Sequence, residues 1–441
     1  MTARLLGARF GLSSLTFVSL YESRYHSTHG PFRREVEKAF FEFKQCGDPH
    51  LGITLFKCCS CNVSLAVPFS CKTRICPSCI ARKAETTAIH LLERLPDVSH
   101  RHIVFSLPKR MGLRQRLLED RSLLRKVTRT VHQVIRHHMT NNIRAHPNRR
   151  EELKKAKPGI IVALHTSGDD LGGYHPHLHL CISDGVFAQD GGFYPMLDWQ
   201  VAELREALRR AILKAFVRWR KLSPEAADTL AGWDLGRCGF SLFVGPPVDD
   251  REHLGSLLRY LFRSPISFKR LEYQEKTGKV RLKLKRGGHR EWDHALDFLA
   301  DLSIHVPKAR QQVVTYAGHY ANSTGNLNRN VESTGESEPS EPTTASRRWI
   351  PWSRLIARCW NVDPELCPKC GQQMKKTRPI LERLALERLL KSIGRFGYPS
   401  RPPPAPELAS DYEAHKSGGQ GTATVVQLHF DDQINQCPPV W

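Results

Sequence analysis

Seven of the 13 cysteines in this chain lie within a short run between positions 46 and 79. Thiols this dense in an otherwise ordinary chain are typical of metal sites in a reducing compartment rather than of disulfides. A Cys-x-x-Cys turn brings two thiolates within reach of one ion, and two such turns complete a tetrahedron. The spacing therefore predicts a structural zinc site with four ligands: Cys58, Cys61, Cys76 and Cys79. Cys46 and Cys71 are either ligands of a second ion or plain buried thiols.

A further Cys-x-x-Cys pair, Cys367 and Cys370, lies near the other end of the chain. Its nearest candidates for a second pair are Cys359 and the remote Cys437, and neither is suitably spaced. This pair is therefore interpreted as an isolated half-site.

The net charge is strongly positive. Sixty-six lysines and arginines against 44 acidic residues give a formal charge of +22. A chain this basic most often binds a polyanion, and nucleic acid is the commonest one. Three basic residues close to the cysteines add to a positive surface there: Lys72, Arg74 and Arg82.

Neither a membrane span nor a secretory signal is expected. No apolar run approaches the roughly 18 residues that a transmembrane helix needs. The mildly apolar run at residues 12–20 is broken by serines and is followed by no small-residue cleavage site. The expected location is the cytoplasm, in association with the nucleoid.

Three histidines alternate in the run Tyr174–Ile182, which has the apolar content of a β-strand. Side chains alternate between the two faces of a strand, so His175, His177 and His179 are expected on one face. Imidazoles two residues apart on a rigid strand can bind one divalent ion. An ordinary histidine-rich strand is the alternative interpretation.

The segment 249–263 is predicted to be an amphipathic helix, since leucines recur at 254, 257, 258 and 261. Tyr260 falls outside that apolar stripe and stands between Arg259 and Arg263. Such a tyrosine suits attack on a phosphate, because the cations favour the phenolate and neutralise the target. His253, about 20° away on the helical wheel at ~100° per residue, competes with His175 as the third metal ligand. An ordinary tyrosine at the edge of the core is the alternative.

Composition and pattern divide the chain into six segments, with α+β as the fold class. We predict an N-terminal extension (1–40), a zinc-binding domain (41–95), a core of mixed strands and helices (100–325), a disordered linker (326–348), a C-terminal basic segment (349–395) and a loose tail (396–441).

Four motifs in this order resemble the rolling-circle transposases of the single-strand endonuclease superfamily that is defined by a His-hydrophobic-His motif and a catalytic tyrosine. More narrowly, the chain resembles the two-tyrosine insertion-sequence transposases that carry an N-terminal zinc-binding domain. The motifs are Ser70-Cys71-Lys72-Thr73-Arg74 with Cys76-Pro77-Ser78-Cys79, then His175-Pro176-His177-Leu178-His179, then Leu258-Arg259-Tyr260-Leu261 with Arg263 and Pro265-Ile266-Ser267, and last Tyr316-Ala317-Gly318-His319-Tyr320-Ala321-Asn322.

The resemblance implies that residues 100–325 form a nuclease core with an antiparallel sheet and flanking helices. It also implies that Tyr260 attacks a single-stranded phosphodiester and forms a 5′-phosphotyrosine with a free 3′-hydroxyl. Where the two-tyrosine pattern expects a first tyrosine, this chain has Ser256, which resembles a single-tyrosine branch. Tyr316 and Tyr320 also have the two-tyrosine spacing. Tyr316 is therefore the second candidate nucleophile, although in the family this stretch is a structural closing element.

The sequence therefore predicts a DNA transposase with structural Zn²⁺ and catalytic Mg²⁺ or Mn²⁺. Its expected partners are single-stranded ends of a mobile element and host replication proteins, with Arg259 and Arg263 as DNA contacts beside the three basic residues named above. Two alternatives remain: a plasmid relaxase or replication initiator of the same superfamily, and a zinc-finger nucleic-acid-binding protein without catalysis.

Overall fold

The computed structural model describes residues 20–61, 63–108, 112–143, 153, 155–233, 239–267, 270–274, 276–285, 287–321, 327, 350–360 and 363–392. The described helices are α1 His26–His29, α2 Arg34–Lys44, α3 Pro77–Leu92, α4 Leu113–Glu119, α5 Ser122–Asn142, α6 Val201–Arg218, α7 Pro224–Gly232, α8 Arg251–Leu261, α9 Ala295–Ser303, α10 Trp352–Trp360 and α11 Arg383–Ser392. The described strands are β1 Ile53–Cys58, β2 Ser64–Pro68, β3 His100–Ser106, β4 Gly159–His165, β5 His177–Ser183, β6 Gly185–Phe187, β7 Phe193–Pro195, β8 Ser241–Val248, β9 Leu271–Tyr273, β10 Val280–Lys283, β11 His289–Trp292, β12 Val314–Gly318 and β13 Met374–Lys376.

A five-stranded antiparallel sheet forms the centre of the molecule, in the order β12-β4-β5-β3-β8. Its inner strands are rich in aliphatic residues on both faces, as expected of strands covered on both sides. The α+β class is confirmed. The apolar runs 160–165 and 177–182, separated by a glycine-rich turn, predict a hairpin, and this is confirmed because β4 and β5 are antiparallel neighbours.

Helices cover both faces of this sheet. On one face, α5 and α6 pack against residues such as Ile103, Ile160 and Leu180. On the other face, α3 and α8 pack against Ile161 and Cys181. The alternation of residues along β4 and β5 thus decides which side chains meet α8.

The N-terminus of helix α8 is fixed by a capping residue. The Asp250 side chain accepts a hydrogen bond from the backbone N–H of His253 at 2.8 Å, which caps the first turn. The leucine stripe is buried as predicted. Tyr260 was expected outside that stripe, but its side chain is only 5% exposed, because α8 lies close against the sheet on that side too.

Apolar residues at helical spacing predict one long helix over 112–143, but this segment forms two helices, α4 and α5. The backbone leaves the helical region at Asp120, where φ is −119° and ψ is 83°. The Asp120 carboxylate then accepts hydrogen bonds from the N–H and hydroxyl of Ser122, so it starts α5 anew.

The C-terminal segment joins the N-terminal module. Strand β13 pairs with β1, in a small sheet of order β13-β1-β2. Ile356 and Cys359 of α10 pack with Phe56 and Ala81 of the N-terminal module. The predicted linker 326–348, apart from residue 327, and the predicted tail 396–441 lie outside the described residues, as do the first 19 residues of the extension. Among the described helices, none combines the length and the apolar character needed to cross a bilayer.

Tyr320 and His100 form a buried polar pair beneath the sheet. Both side chains are 0% exposed, and the Tyr320 hydroxyl hydrogen-bonds to His100 Nε2 at 2.8 Å. Burial lowers the pKa of His100 to about 4, so its imidazole is neutral at pH 7. This pairing gives Tyr320 a structural role.

We expect Tyr320→Phe to lower the free energy of unfolding by about 1–3 kcal/mol, because it leaves a buried imidazole nitrogen without its partner. Urea unfolding followed by circular dichroism measures the change. Tyr316→Phe, at a partly exposed position on β12, is the control and should cost less than about 0.5 kcal/mol. Equal losses in the two variants would contradict this role.

Candidate metal centres

Three groups of side chains in the described part of the chain bring potential ligand atoms within 4.8 Å of one another. Two contain four cysteines each and lie in the N-terminal module and its C-terminal addition. The third contains three histidines and lies on the central sheet.

The first cysteine group contains Cys46, Cys71, Cys76 and Cys79. Three of its sulfur–sulfur distances are 3.6 to 3.7 Å, close to the edge of a tetrahedron with zinc–sulfur bonds of about 2.3 Å. The N–H of Cys71 donates to Cys46 Sγ, and that of Lys72 donates to Cys79 Sγ. Such hydrogen bonds stabilise thiolates, so these residues fit a structural zinc ion.

The second cysteine group contains Cys58, Cys61, Cys367 and Cys370. Cys58 Sγ lies 3.5 Å from Cys370 Sγ, and Cys61 Sγ lies 3.3 Å from Cys367 Sγ. Hydrogen bonds from the backbone of Cys61 and Ser60 lower the pKa of the Cys58 thiol to about 6.

The predicted grouping of Cys58, Cys61, Cys76 and Cys79 in one zinc site is therefore wrong. Each Cys-x-x-Cys pair has a different partner pair in space. Cys76 and Cys79, at the start of α3, meet Cys46 and Cys71, which answers the question left open for those two thiols. Cys367 and Cys370 are not an isolated half-site, because the β13–β1 pairing carries them to Cys58 and Cys61.

The histidine group contains His165, His177 and His179. In the antiparallel register, His165 of β4 stands opposite His177 of β5, and Ala163 stands opposite His179. All three histidines therefore project from one face, towards α8. The predicted pair 177/179 is brought together, and the third member is His165, which the sequence analysis missed.

The other two candidates for the third ligand lie outside this group. His175 precedes β5, and its ring centroid is 5.0 Å from that of His177. Its backbone carbonyl accepts a hydrogen bond from His177 Nδ1 at 2.8 Å. His253 lies in the first turn of α8 and pairs with the Asp250 carboxylate. Both are thus supporting or capping residues in this structure.

Hydrogen bonds set which nitrogen of each ring faces the centre of the group. His177 Nδ1 donates to the His175 carbonyl, and His165 Nε2 donates to the Leu261 carbonyl at 2.7 Å. His179 Nδ1 lies 2.9 Å from His102 Nε2. The hydrogen bonds of His177 and His179 thus engage Nδ1 of each ring, and His179 Nε2 is buried without a hydrogen-bond partner, as suits an atom that binds an ion.

Burial favours the neutral form of the His177 and His179 imidazoles. Desolvation lowers the pKa of His177 and of His179 well below the usual value, and the neighbouring His165 lowers both further. Neutral imidazole is the form that binds a metal. The donor set therefore fits a divalent ion.

His102 of β3 is a second residue that the sequence analysis missed. Its ring is parallel to that of His179, with an interplanar angle of 7° and a centroid distance of 5.1 Å. The alternation His100-x-His102 on a β-rich segment is the signal that could have revealed it. His102 holds the orientation of His179.

Tyr260 lies against this histidine group. Its ring centroid is 5.5 Å from that of His179 and 5.7 Å from that of His102, with both contacts edge to face. The guanidinium of Arg263 lies over the Tyr260 ring, 4.2 Å from its centroid. The structure thus brings the predicted tyrosine and histidines together.

Arg259 has a different role from the one predicted. Its guanidinium binds the Glu85 carboxylate at 2.5 Å, and Glu85, on α3, is only 3% exposed. A buried carboxylate needs such a partner. Arg259 therefore joins α8 to α3 rather than facing DNA.

A basic cavity of about 1960 Å³ opens in front of the histidines. Its lining includes His177, His179, Tyr316 and Arg263, whereas Tyr260 is not among its lining residues. Further cations line it: Arg74, Lys83, Arg114, Arg121, Arg270, Lys285 and Arg310. Of the three basic residues predicted near the cysteines, Arg74 lies here. Arg82 instead donates to Ser70 Oγ at 2.6 Å, and Lys72 is exposed outside the cavity lining.

Two family models match the chain. Residues 17–107 match a transposase zinc-binding domain of the IS91 type, and residues 159–327 match the Y2 model described as "Putative transposase". The first match contains the first cysteine group, and the second contains the histidine group and Tyr260. No solved structure matches.

Curated relatives agree with these matches. The chain is 26% identical over 363 residues to the transposase for insertion sequence element IS801 of Pseudomonas savastanoi pv. phaseolicola, with 76% of this chain and 82% of the relative covered. It is 24% identical over 340 residues to "Putative transposase y4qJ" of Sinorhizobium fredii, strain NBRC 101917 / NGR234, with 71% and 82% covered. The chain thus carries an IS91-type transposase zinc-binding domain followed by a Y2 transposase domain, and it is similar to insertion-sequence transposases over most of its length.

Proposed function

We propose that this transposase cuts and joins single-stranded DNA ends of its element through Tyr260, beside a divalent ion held by His165, His177 and His179. The phenol oxygen attacks phosphorus and forms a 5′-phosphotyrosine. The bond to the 3′ oxygen breaks, the phenol loses its proton, and the 3′ end leaves as a free hydroxyl. Attack by that or another 3′-hydroxyl reverses the step and joins the strands.

The observation that carries this proposal is the contact between Tyr260 and His179. The ring of the one lies edge-on to the ring of the other, so a phosphate near the histidines is also near this tyrosine. Arg263 adds positive charge at the same place, which favours the phenolate and offsets the charge of the phosphate. For Tyr260 to attack DNA bound in the cavity, its buried side chain must gain access to that cavity.

When bound, a divalent ion at the three histidines polarises the scissile phosphate and stabilises charge on the leaving oxygen. Three imidazoles without a carboxylate favour a transition ion, since Mg²⁺ prefers oxygen ligands and retained water. We therefore infer that Mn²⁺ supports cleavage at lower concentration than Mg²⁺.

The charge of the cavity favours single-stranded DNA as the substrate. Its cations can follow a phosphate backbone, and counterion release would make binding strongly dependent on salt. We infer that host replication proteins supply or extend the single strand. We therefore propose that the protein acts at the nucleoid, in the cytoplasm, where such single strands arise.

Only one tyrosine stands on α8, since Ser256 occupies the position one turn earlier. The proposed reaction therefore uses one nucleophile on this helix for cleavage and joining. Tyr316 is the second candidate nucleophile, because it lines the cavity.

Covalent capture tests the nucleophile. We expect the wild type, incubated with Mn²⁺ and end-labelled single strands from the DNA bordering the coding sequence, to form an adduct that survives denaturation. Tyr260→Phe should abolish it, because phenylalanine has no oxygen to attack phosphorus, and Tyr316→Phe should retain it. Loss in Tyr316→Phe with retention in Tyr260→Phe would transfer the role to Tyr316. A wild type that cleaves without any adduct would overturn the covalent mechanism.

Titration with Mn²⁺ in a calorimeter tests the metal site. His165→Ala and His179→Ala each remove a ligand, so each should weaken binding by more than the roughly 10–100-fold that loss of an outer hydrogen-bond partner costs. His253→Ala is the matched control at a histidine outside the group and should bind Mn²⁺ as the wild type does. Unchanged affinity in His165→Ala would remove this residue from the ligand set.

The orienting role of His102 is tested in the same titration. His102→Ala should weaken Mn²⁺ binding by roughly 10–100-fold, because His179 loses the acceptor that fixes its ring. His102→Asn retains a side-chain acceptor and should recover part of that affinity. Equal loss in both variants would indicate a packing effect instead.

A further inference from the structure

We propose that Cys58, Cys61, Cys367 and Cys370 hold a second structural zinc ion, which binds the C-terminal segment to the N-terminal module. The two halves of this site are 306 residues apart along the chain, measured from Cys61 to Cys367. The match to the zinc-binding domain ends at residue 107, so it includes only one half.

The geometry of the four sulfurs supports a closed tetrahedral site. Each N-terminal sulfur lies within 3.5 Å of a C-terminal one, and the four ligand atoms all lie within 4.8 Å of one another. Four thiolates leave no open position for a substrate, which is the mark of a structural rather than a catalytic zinc site.

The local backbone supports the same conclusion. Gly371, directly after Cys370, has a φ of +68°, which allows a tight turn behind the two thiols. In that turn the N–H of Gly371 donates to the Cys367 carbonyl at 2.8 Å. Ser60 Oγ, between the two N-terminal thiols, donates to Gln372 Oε1 at 3.2 Å. The two Cys-x-x-Cys turns thus contact each other directly.

The C-terminal segment packs on the N-terminal module through α10, but its strand pairing is short. Strand β13 has three residues paired with β1, and isolated short strands are weak. Leu55 and Ile53 add backbone hydrogen bonds to Thr377 and Ile380. A metal ion that joins both ends adds binding free energy that the short strand lacks.

The contacts of this clamp, the C-terminal segment held at the second cysteine group, extend towards the helix that carries Tyr260. Arg358 of α10 binds one oxygen of the buried Glu85 carboxylate at 2.6 Å, while Arg259 of α8 binds the other. A carboxylate buried this deeply depends on both cations. The clamped segment therefore supports the interface between α3 and α8.

Metal analysis of the purified full chain tests the proposal. We expect two zinc ions per wild-type chain and one in Cys367→Ser/Cys370→Ser, because the first cysteine group is unaffected. Cys59→Ser, at an exposed thiol beside Cys58 that belongs to neither group, is the matched control and should retain two. Two ions in the double variant, or one in the wild type, would overturn the proposal.

Amide hydrogen exchange provides a readout of the clamp that does not depend on activity. In the double variant, β13 and α10 should exchange faster than in the wild type, while β4 and β5 should be unchanged. Unchanged exchange at β13 would show that zinc does not hold this segment.

Wild-type protein alone keeps the test valid if the double variant fails to fold. Cobalt-loaded wild type should show thiolate-to-cobalt absorption equivalent to two tetrathiolate sites. If the four thiols instead form two disulfides, only one site would be seen, and the mass would be lower by the hydrogens that two disulfides remove. That outcome would refute a second zinc ion.

Discussion

The antiparallel register between β4 and β5 is the constraint on which the rest of this site depends. It sets His165 opposite His177 and Ala163 opposite His179, so that three imidazoles share one face and one small residue leaves room between them. A shift by a single residue would turn the β5 histidines to the face covered by α5 and α6. The aliphatic residues at alternate positions prevent this shift, because it would expose them to a polar site.

Local patterns explain what could be predicted from the sequence. Three patterns predict a local geometry from residues that lie only a few positions apart. They are the histidine alternation, the leucine stripe of α8 and the cysteine pairs. His165 has no such pattern, since it is a single histidine at the end of an aliphatic strand. Only the pairing of strands, a non-local property, reveals its role. The cysteine pairs were mis-grouped for the same reason, because spacing along the chain gives no information about a partner more than 300 residues away.

The roles of individual charged residues were also harder to predict than the function that the overall charge indicates. The net charge of +22 correctly indicated a DNA-processing protein. From this charge, every arginine near Tyr260 would be expected to bind phosphate, yet Arg259 and Arg263 have different roles. Arg259 neutralises a buried carboxylate, and Arg263 lies over the tyrosine ring. Burial of Glu85 decides this difference, and a single sequence does not display burial of an acidic residue.

The position of β13 in the small sheet has a consequence for the synthesis of the protein on the ribosome. Strand β1 emerges from the ribosome long before β13, and at typical elongation rates the roughly 300 residues between them take about 15–60 s. During that interval one edge of β1 has unpaired amides and carbonyls, the kind of surface on which chains aggregate. A nascent or prematurely stopped chain therefore exposes an aggregation-prone edge that β13 covers in the finished protein, which ties solubility to translation through β13.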